Sequence, residues 1–149
     1  MKIDIFNHVM PAAYLELVKQ HSKEPGMVKR MVGLRMLWDI EARVAMLRGK
    51  FPELQQVLTL ALPAPELLGG PEQSPEFARV ANDGMAEMCR KWPTEFPAFV
   101  ASLPMNNVPA ALEEMDRAIG KLGARGIQIC TSAAGRPLDE PDLFAVFER

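Results

Sequence analysis

Lys2-Ile3-Asp4-Ile5-Phe6-Asn7-His8 opens the chain and decides how the rest is read. Its alternation of residue types predicts a strand over Lys2–Phe6. Successive side chains on a strand point to opposite faces. Ile3 and Ile5 therefore share one face, and Asp4, Phe6 and, if the strand extends, His8 share the other. Three further runs rich in Val, Ile, Leu or Phe, each bounded by Pro or Gly, read as strands: Gln55–Ala61, Ala98–Leu103 and Gly126–Thr131.

Helical patterns fill the intervals. Between the first two strands lie a helix near Ala12–His21, a polar turn at Ser22–Gly26, and a helix capped by Asp39 with Ile40, Val44 and Leu47 on one face. Pro63–Pro75 reads as a loop. Ser74-Pro75 reads as a cap and first helical proline, followed by Phe77, Val80, Ala81, Met85, Met88 and Trp92 at helical spacing. Asn107 caps the next helix and Gly123 is placed to end it. Asp139 opens a last helix that carries no stop signal before Arg149. Strand alternating with helix four times predicts an α/β fold of four parallel βα units. A flat, flavodoxin-like sheet is the alternative architecture.

The chain has 149 residues, 48% hydrophobic and 24% charged, which suits one globular domain with a real core. A net charge of −2 without a basic stripe argues against nucleic acid as a partner. No apolar run approaches the roughly 20 residues of a membrane span. Asp4 in the opening strand argues against a secretory leader. Cys89 and Cys130 sit in apolar surroundings without metal-type spacing, so a reducing cytoplasm is expected. The ten methionines read as core filling.

Three stretches carry a family resemblance: Ile3–Pro11; Asn82-Asp83 with Trp92-Pro93-Thr94-Glu95-Phe96 and Leu103-Pro104-Met105; and Ala110–Glu114 through Leu122-Gly123 to Gly126–Ile129. Together they resemble the amidohydrolase-related decarboxylases and hydrolases, the aminocarboxymuconate semialdehyde decarboxylase group among them. Asp39, Arg43 and Met46 fit the same pattern. The resemblance implies a (β/α)8 barrel, of which residues 1–149 are the N-terminal half, with a long insertion at about 7–54. Such a barrel needs about 250 residues.

In that family the first strand carries His-x-His, or an acid in place of the first histidine, and both side chains bind a divalent metal, zinc or manganese. Here Phe6 stands at the first position and has no lone pair to donate, while His8 matches the second. The family's other ligands, from the fifth, sixth and eighth strands, fall beyond Arg149. One imidazole does not hold a catalytic metal against water. On spacing alone His8 reads as a strand-end histidine in local hydrogen bonds. Phe6 reads either as an apolar wall for an aromatic or acyl substrate or as a sign of lost activity.

Lesser candidates follow the other strands. Gln128 and Cys130 share a face and would point into a barrel. Thr131 and Ser132 lie where a substrate contact or a hydrogen-bonded loop start is expected, and Asn106 sits on the same side. Asn82, Asp83 and Trp38 read as structural, and His21 as solvent-exposed. The implied function is a fragment of a decarboxylase or hydrolase of a carboxylated or β-dicarbonyl substrate of aromatic catabolism. The alternatives are an inactive homologue and a half-barrel that self-associates. An uncovered half-barrel is expected to be completed by the rest of its own polypeptide, by a second chain or by another copy, giving a homo-oligomer.

Overall fold

The computed structural model describes residues 1–149. The chain runs β1 (Lys2–Asp4), α1 (Ala12–His21), α2 (Pro25–Gly33), α3 (Arg35–Trp38), α4 (Ile40–Lys50), β2 (Leu54–Leu58), α5 (Pro65–Leu68), α6 (Ser74–Lys91), β3 (Ala98–Phe99), β4 (Ala101–Ser102), α7 (Val108–Arg117), β5 (Ile127–Gln128) and α8 (Phe144–Glu148). All pairings are parallel, in two sheets ordered β1-β2-β3 and β4-β5.

The strands are shorter than their sequence patterns. The first ends at Asp4 because Asp4 Oδ1 accepts the Phe6 N–H at 2.9 Å and bends the chain. The second ends at Leu58, though Leu60 still pairs with Val9 in an isolated bridge. The third is divided at Val100, whose N–H donates to Leu58 O, whereas the Ala101 N–H donates to Gly126 O. The ladder changes partner at that residue. Gln128 closes the gap with its side-chain amide, which accepts the Leu60 N–H at 3.0 Å and donates to Leu60 O at 3.1 Å. It does the work of a missing peptide group.

The long connection between β1 and β2 holds four helices. The expected polar turn stops at Glu24, and Pro25 starts α2. Asp39 and Asn107 cap as expected, accepting the N–H of Ala42 at 3.0 Å and of Ala110 at 3.2 Å. A single π turn, Ala118–Leu122, follows α7, and Gly123 ends it at a φ of 80°, where glycine carries no Cβ penalty. Ser74 is not a cap. It lies inside α6, and its hydroxyl donates to Asn106 Oδ1 at 2.5 Å instead. The last helix starts later than Asp139, because Pro141 forces Glu140 into an extended conformation (ψ 135°).

The main core of 21 buried residues lies between β2, β3 and α1, α4 and α6, with Tyr14, Leu58, Leu60, Met85, Phe96 and Phe99 among them, and continues to Ala101, Ala118 and Ala124. Gly84 permits the approach of α1 to α6, since a Cβ there would sit 2.5 Å from Pro11 Cβ. A second core of 7 residues joins Leu103 and Met105 to α7 and α8, and Ile127 and Ile129 pack on it. Gln128 and Cys130 alternate with those isoleucines and so face the side that α7 and α8 leave uncovered.

Apart from one carboxylate oxygen of Glu66, the buried side-chain polar groups of the fold are paired. Asn82, fully buried on α6, accepts the Ser102 N–H at 2.9 Å and donates to Ser102 O at 2.9 Å and to Glu114 Oε1 at 2.7 Å. Glu114 is held in turn by Arg117, which also reaches Asp83 at 2.6 Å. Asn82 and Asp83 are structural, as expected, and Asn82 is fully buried.

Buried Glu95 receives Arg48 Nε at 2.6 Å. That hydrogen bond holds its carboxyl below the usual glutamate range. The pair therefore stabilises the fold above the ordinary glutamate pKa and loses its effect as pH falls through the lower folded value. Glu95→Gln is expected to flatten the acid side of a profile of melting temperature against pH. An unchanged acid limb would contradict this.

Candidate functional site

The site candidates gather where β1 and β2 end. His8 is exposed, and its Nδ1 lies 2.7 Å from Thr59 Oγ1. The Thr59 hydroxyl also lies against Asn7 O. Which of His8 Nδ1 and Thr59 Oγ1 donates follows from the imidazole tautomer. A hydrogen bond at one ring nitrogen that frees the other is the arrangement of a ligating histidine. Phe6 stands beside it, 88% exposed, with its ring edge-on to the imidazole and the centroids 5.8 Å apart.

Asp4 does not join them. It pairs in register with Gln56, whose Nε2 donates to Asp4 Oδ2 at 2.8 Å. Gln56 shares its face with core residue Leu58, and its Oε1 accepts Arg43 Nε of α4 at 2.8 Å. Asp4 thus lies on the helix side and His8 on the open side. The bend at Phe6 breaks the alternation that the sequence pattern implied.

Arg43 fixes this corner from beneath. Its buried guanidinium donates to His8 O at 2.6 Å, to Met36 O at 3.2 Å and to Asn7 Oδ1 at 2.8 Å, besides Gln56. Burial lowers its pKa, with Asp4 acting in the opposite sense. Asn7 Nδ2 completes the corner by donating to Asp4 O at 3.0 Å and Val57 O at 2.9 Å.

The loop after β2 closes over the neighbouring strand ends. Fully buried Tyr14 donates its hydroxyl to Pro63 O at 2.8 Å and anchors this loop, and burial is the main cause of its raised pKa. Glu66 in α5 is buried among Leu60, Leu103, Gln128 and Cys130, and burial pushes its carboxyl up to about 7. Burial first, and Glu66 second, also raise the Cys130 thiol. Asn106 and Asn107 bind the next loop down through Gly69 O at 3.0 Å and Pro71 O at 2.8 Å.

Phe6 and His8 are therefore brought together, whereas Thr131 lies apart, exposed in the bend after β5. His21 is not free in solvent, because its ring packs on Phe77 at 4.9 Å. Arg43 and Glu66 were not singled out as site residues from sequence. The available signal was a charge inside an apolar pattern: Arg43 between Ile40 and Leu47, and Glu66 between Leu60 and Leu68. For a divalent metal the donor set does not suffice. No three His, Cys, Asp or Glu side chains converge, and His8 is the one donor beside an apolar Phe6.

The amidohydrolase family model matches residues 3–149. The 2-amino-3-carboxymuconate-6-semialdehyde decarboxylase of Dictyostelium discoideum is 26% identical over 167 aligned positions, covering 99% of this chain and 45% of that protein. A 2,6-dihydroxybenzoate decarboxylase from Rhizobium superposes with a TM-score of 0.77 at 26% identity, covering 99% of this chain and 45% of its own. A dihydroxybenzoic acid decarboxylase from Polaromonas sp. JS666, with bound manganese and the inhibitor 2-nitroresorcinol, superposes with a TM-score of 0.74 at 26% identity and covers the same shares, 99% and 45%. The chain spans about half the length of these relatives and matches the N-terminal part of their barrels. With its family model matched over all but the first two residues, the chain belongs to the amidohydrolase family.

Proposed function

We propose that the chain is the N-terminal half of a (β/α)8 barrel, four βα units long, whose completed form removes the carboxyl group of an aromatic carboxylate. In this reading β3 and β4 are one barrel strand divided at Val100. The observation that carries the reading is the likeness to decarboxylases across 99% of the chain. The exposed His8 at the strand ends supports it. Phe6 then forms an apolar wall for the aromatic ring, and Thr131 contacts the polar edge of the substrate.

The Polaromonas relative binds manganese. Here His8 is one ligand of a divalent ion, zinc or manganese, and the other donors come from the completing half. That half covers Ile5 and Phe6, which are 73% and 88% exposed. It is the rest of the polypeptide, a separate chain or a second copy, and the assembly is a homo-oligomer. A cytoplasmic setting suits the two free thiols, and no helix is long and apolar enough to cross a membrane.

The test is carbon dioxide release from 2,6-dihydroxybenzoate by the completed protein supplied with manganese. Release is expected. His8→Ala is expected to reduce it by more than the roughly 10–100-fold that losing an outer metal contact removes. Unchanged activity in that variant would refute the ligand role. No release from a panel of aromatic carboxylates would favour an inactive homologue, a reading motivated by Phe6, or a hydrolase.

A further inference from the structure

Glu66 Oε2 is the one buried side-chain oxygen or nitrogen without a hydrogen-bond partner, in a residue only 6% exposed. A buried polar atom of this kind calls for an occupant. Beside it lies a cavity of about 10 Å³, lined among others by Leu60, Ser102, Leu103, Gln128 and Cys130. That is room for one water and for nothing larger. Ser102, Gln128 and Cys130 are the other lining residues with polar side-chain atoms. The cavity sits at the ends of β2, β4 and β5. Gln128 and Cys130 lie on the uncovered face, and Leu60 follows Thr59, the residue that orients His8. A water there would lie between Glu66 on one side and Gln128 and Cys130 on the other.

We propose that Glu66 and one water in this cavity form a proton-exchange site serving the open face, with an anionic oxygen of a bound ligand as its partner. The Oε2–H bond breaks as the proton passes to the water. The water releases one of its own hydrogens to the ligand oxygen. Glu66 is left as a carboxylate, the water is unchanged and the ligand is protonated; the reverse step restores the acid. No electrons are exchanged with an outside group.

The surroundings suit this use near neutrality. Burial holds the Glu66 carboxyl at about 7. Two titratable groups lie near enough to interact with it, Tyr14 from α1 and Cys130 beyond β5. Both are raised by burial, so they stay neutral and do not compete for the proton. Glu66 also borders a wider cleft of about 600 Å³, where His21, Lys23 and Glu24 are the charged or titratable groups that share its lining. This inference concerns Glu66 alone and does not depend on which reaction the completed protein performs.

Infrared difference spectra of the protein from about pH 5 to about pH 9 test it, in a range that brackets a proton carrier tuned to neutrality. The expected result is a carboxylic-acid carbonyl band, at the frequency of a hydrogen-bonded acid, that disappears with a midpoint near 7 and is missing from Glu66→Gln. Glu66→Asp, which draws the carboxyl back from the cavity, is expected to move the band or its midpoint. A band that titrates in the ordinary glutamate range, a band at the frequency of an unbonded acid, or no band assignable to Glu66 would overturn the proposal.

Discussion

Replacing Asn82 with Leu is expected to lower the unfolding free energy by roughly 3–5 kcal/mol, the sum of several buried groups each left without a partner. Leucine keeps the volume and the helix propensity of α6, so packing contributes little to the loss. What disappears is one amide that meets both backbone groups of Ser102 and one oxygen of Glu114. Those groups remain buried. Asn82→Asp separates this from a general effect. The carboxylate still accepts the Ser102 N–H but faces Glu114. Its loss should be large at neutral pH and should shrink as one of the two acids protonates. Urea midpoints at two pH values measure both. A loss in Asn82→Leu within about 0.5 kcal/mol, the range of ordinary surface changes, would contradict the assignment.

Arg43→Met is expected to cost about as much, roughly 3–5 kcal/mol, because it strands two buried and two part-buried acceptors at once. Asn7 Oδ1, Gln56 Oε1, His8 O and Met36 O all receive the guanidinium. Relief of the buried charge offsets part of the loss. Lysine brings the charge without the planar fork, so Arg43→Lys should recover less than half of it. The same change should be felt locally. Arg43 holds the His8 backbone, and losing it should release the imidazole from Thr59. The His8 ring signals in a nuclear magnetic resonance spectrum would then move toward those of a free histidine. If His8 stays unperturbed in a folded Arg43→Lys protein, the corner does not depend on the guanidinium.

These two residues mark the boundary of what could be read in advance. Asp39, Asn107 and Gly123 were legible because their roles are local: a side-chain oxygen three residues from its N–H, or a φ that favours glycine. The parallel strand–helix alternation was legible for the same reason. Ser74 has the composition of a cap, yet its hydroxyl is taken by Asn106, a partner 32 residues away. The face of Asp4 was misjudged because its own carboxylate bends the chain at Phe6. The juxtaposition of Phe6 and His8 was legible from a spacing of two. Glu66 was not, since its environment is assembled by the second, fourth and fifth strands together.

The two unequal cores give the molecule an internal order of opening. The larger one secures β2 and β3 to α1, α4 and α6 and continues past Val100 through Ala101, Ala118 and Ala124, while the smaller one holds α8 against α7. The backbone ladder changes partner at Val100, but a side-chain amide spans the gap and Asn82 ties α6 to Ser102 and Glu114 across it. The segment with the fewest buried contacts opens at the lowest cost. α8, packed on the smaller core alone, is therefore expected to exchange its amides with solvent before α6 and α7 do.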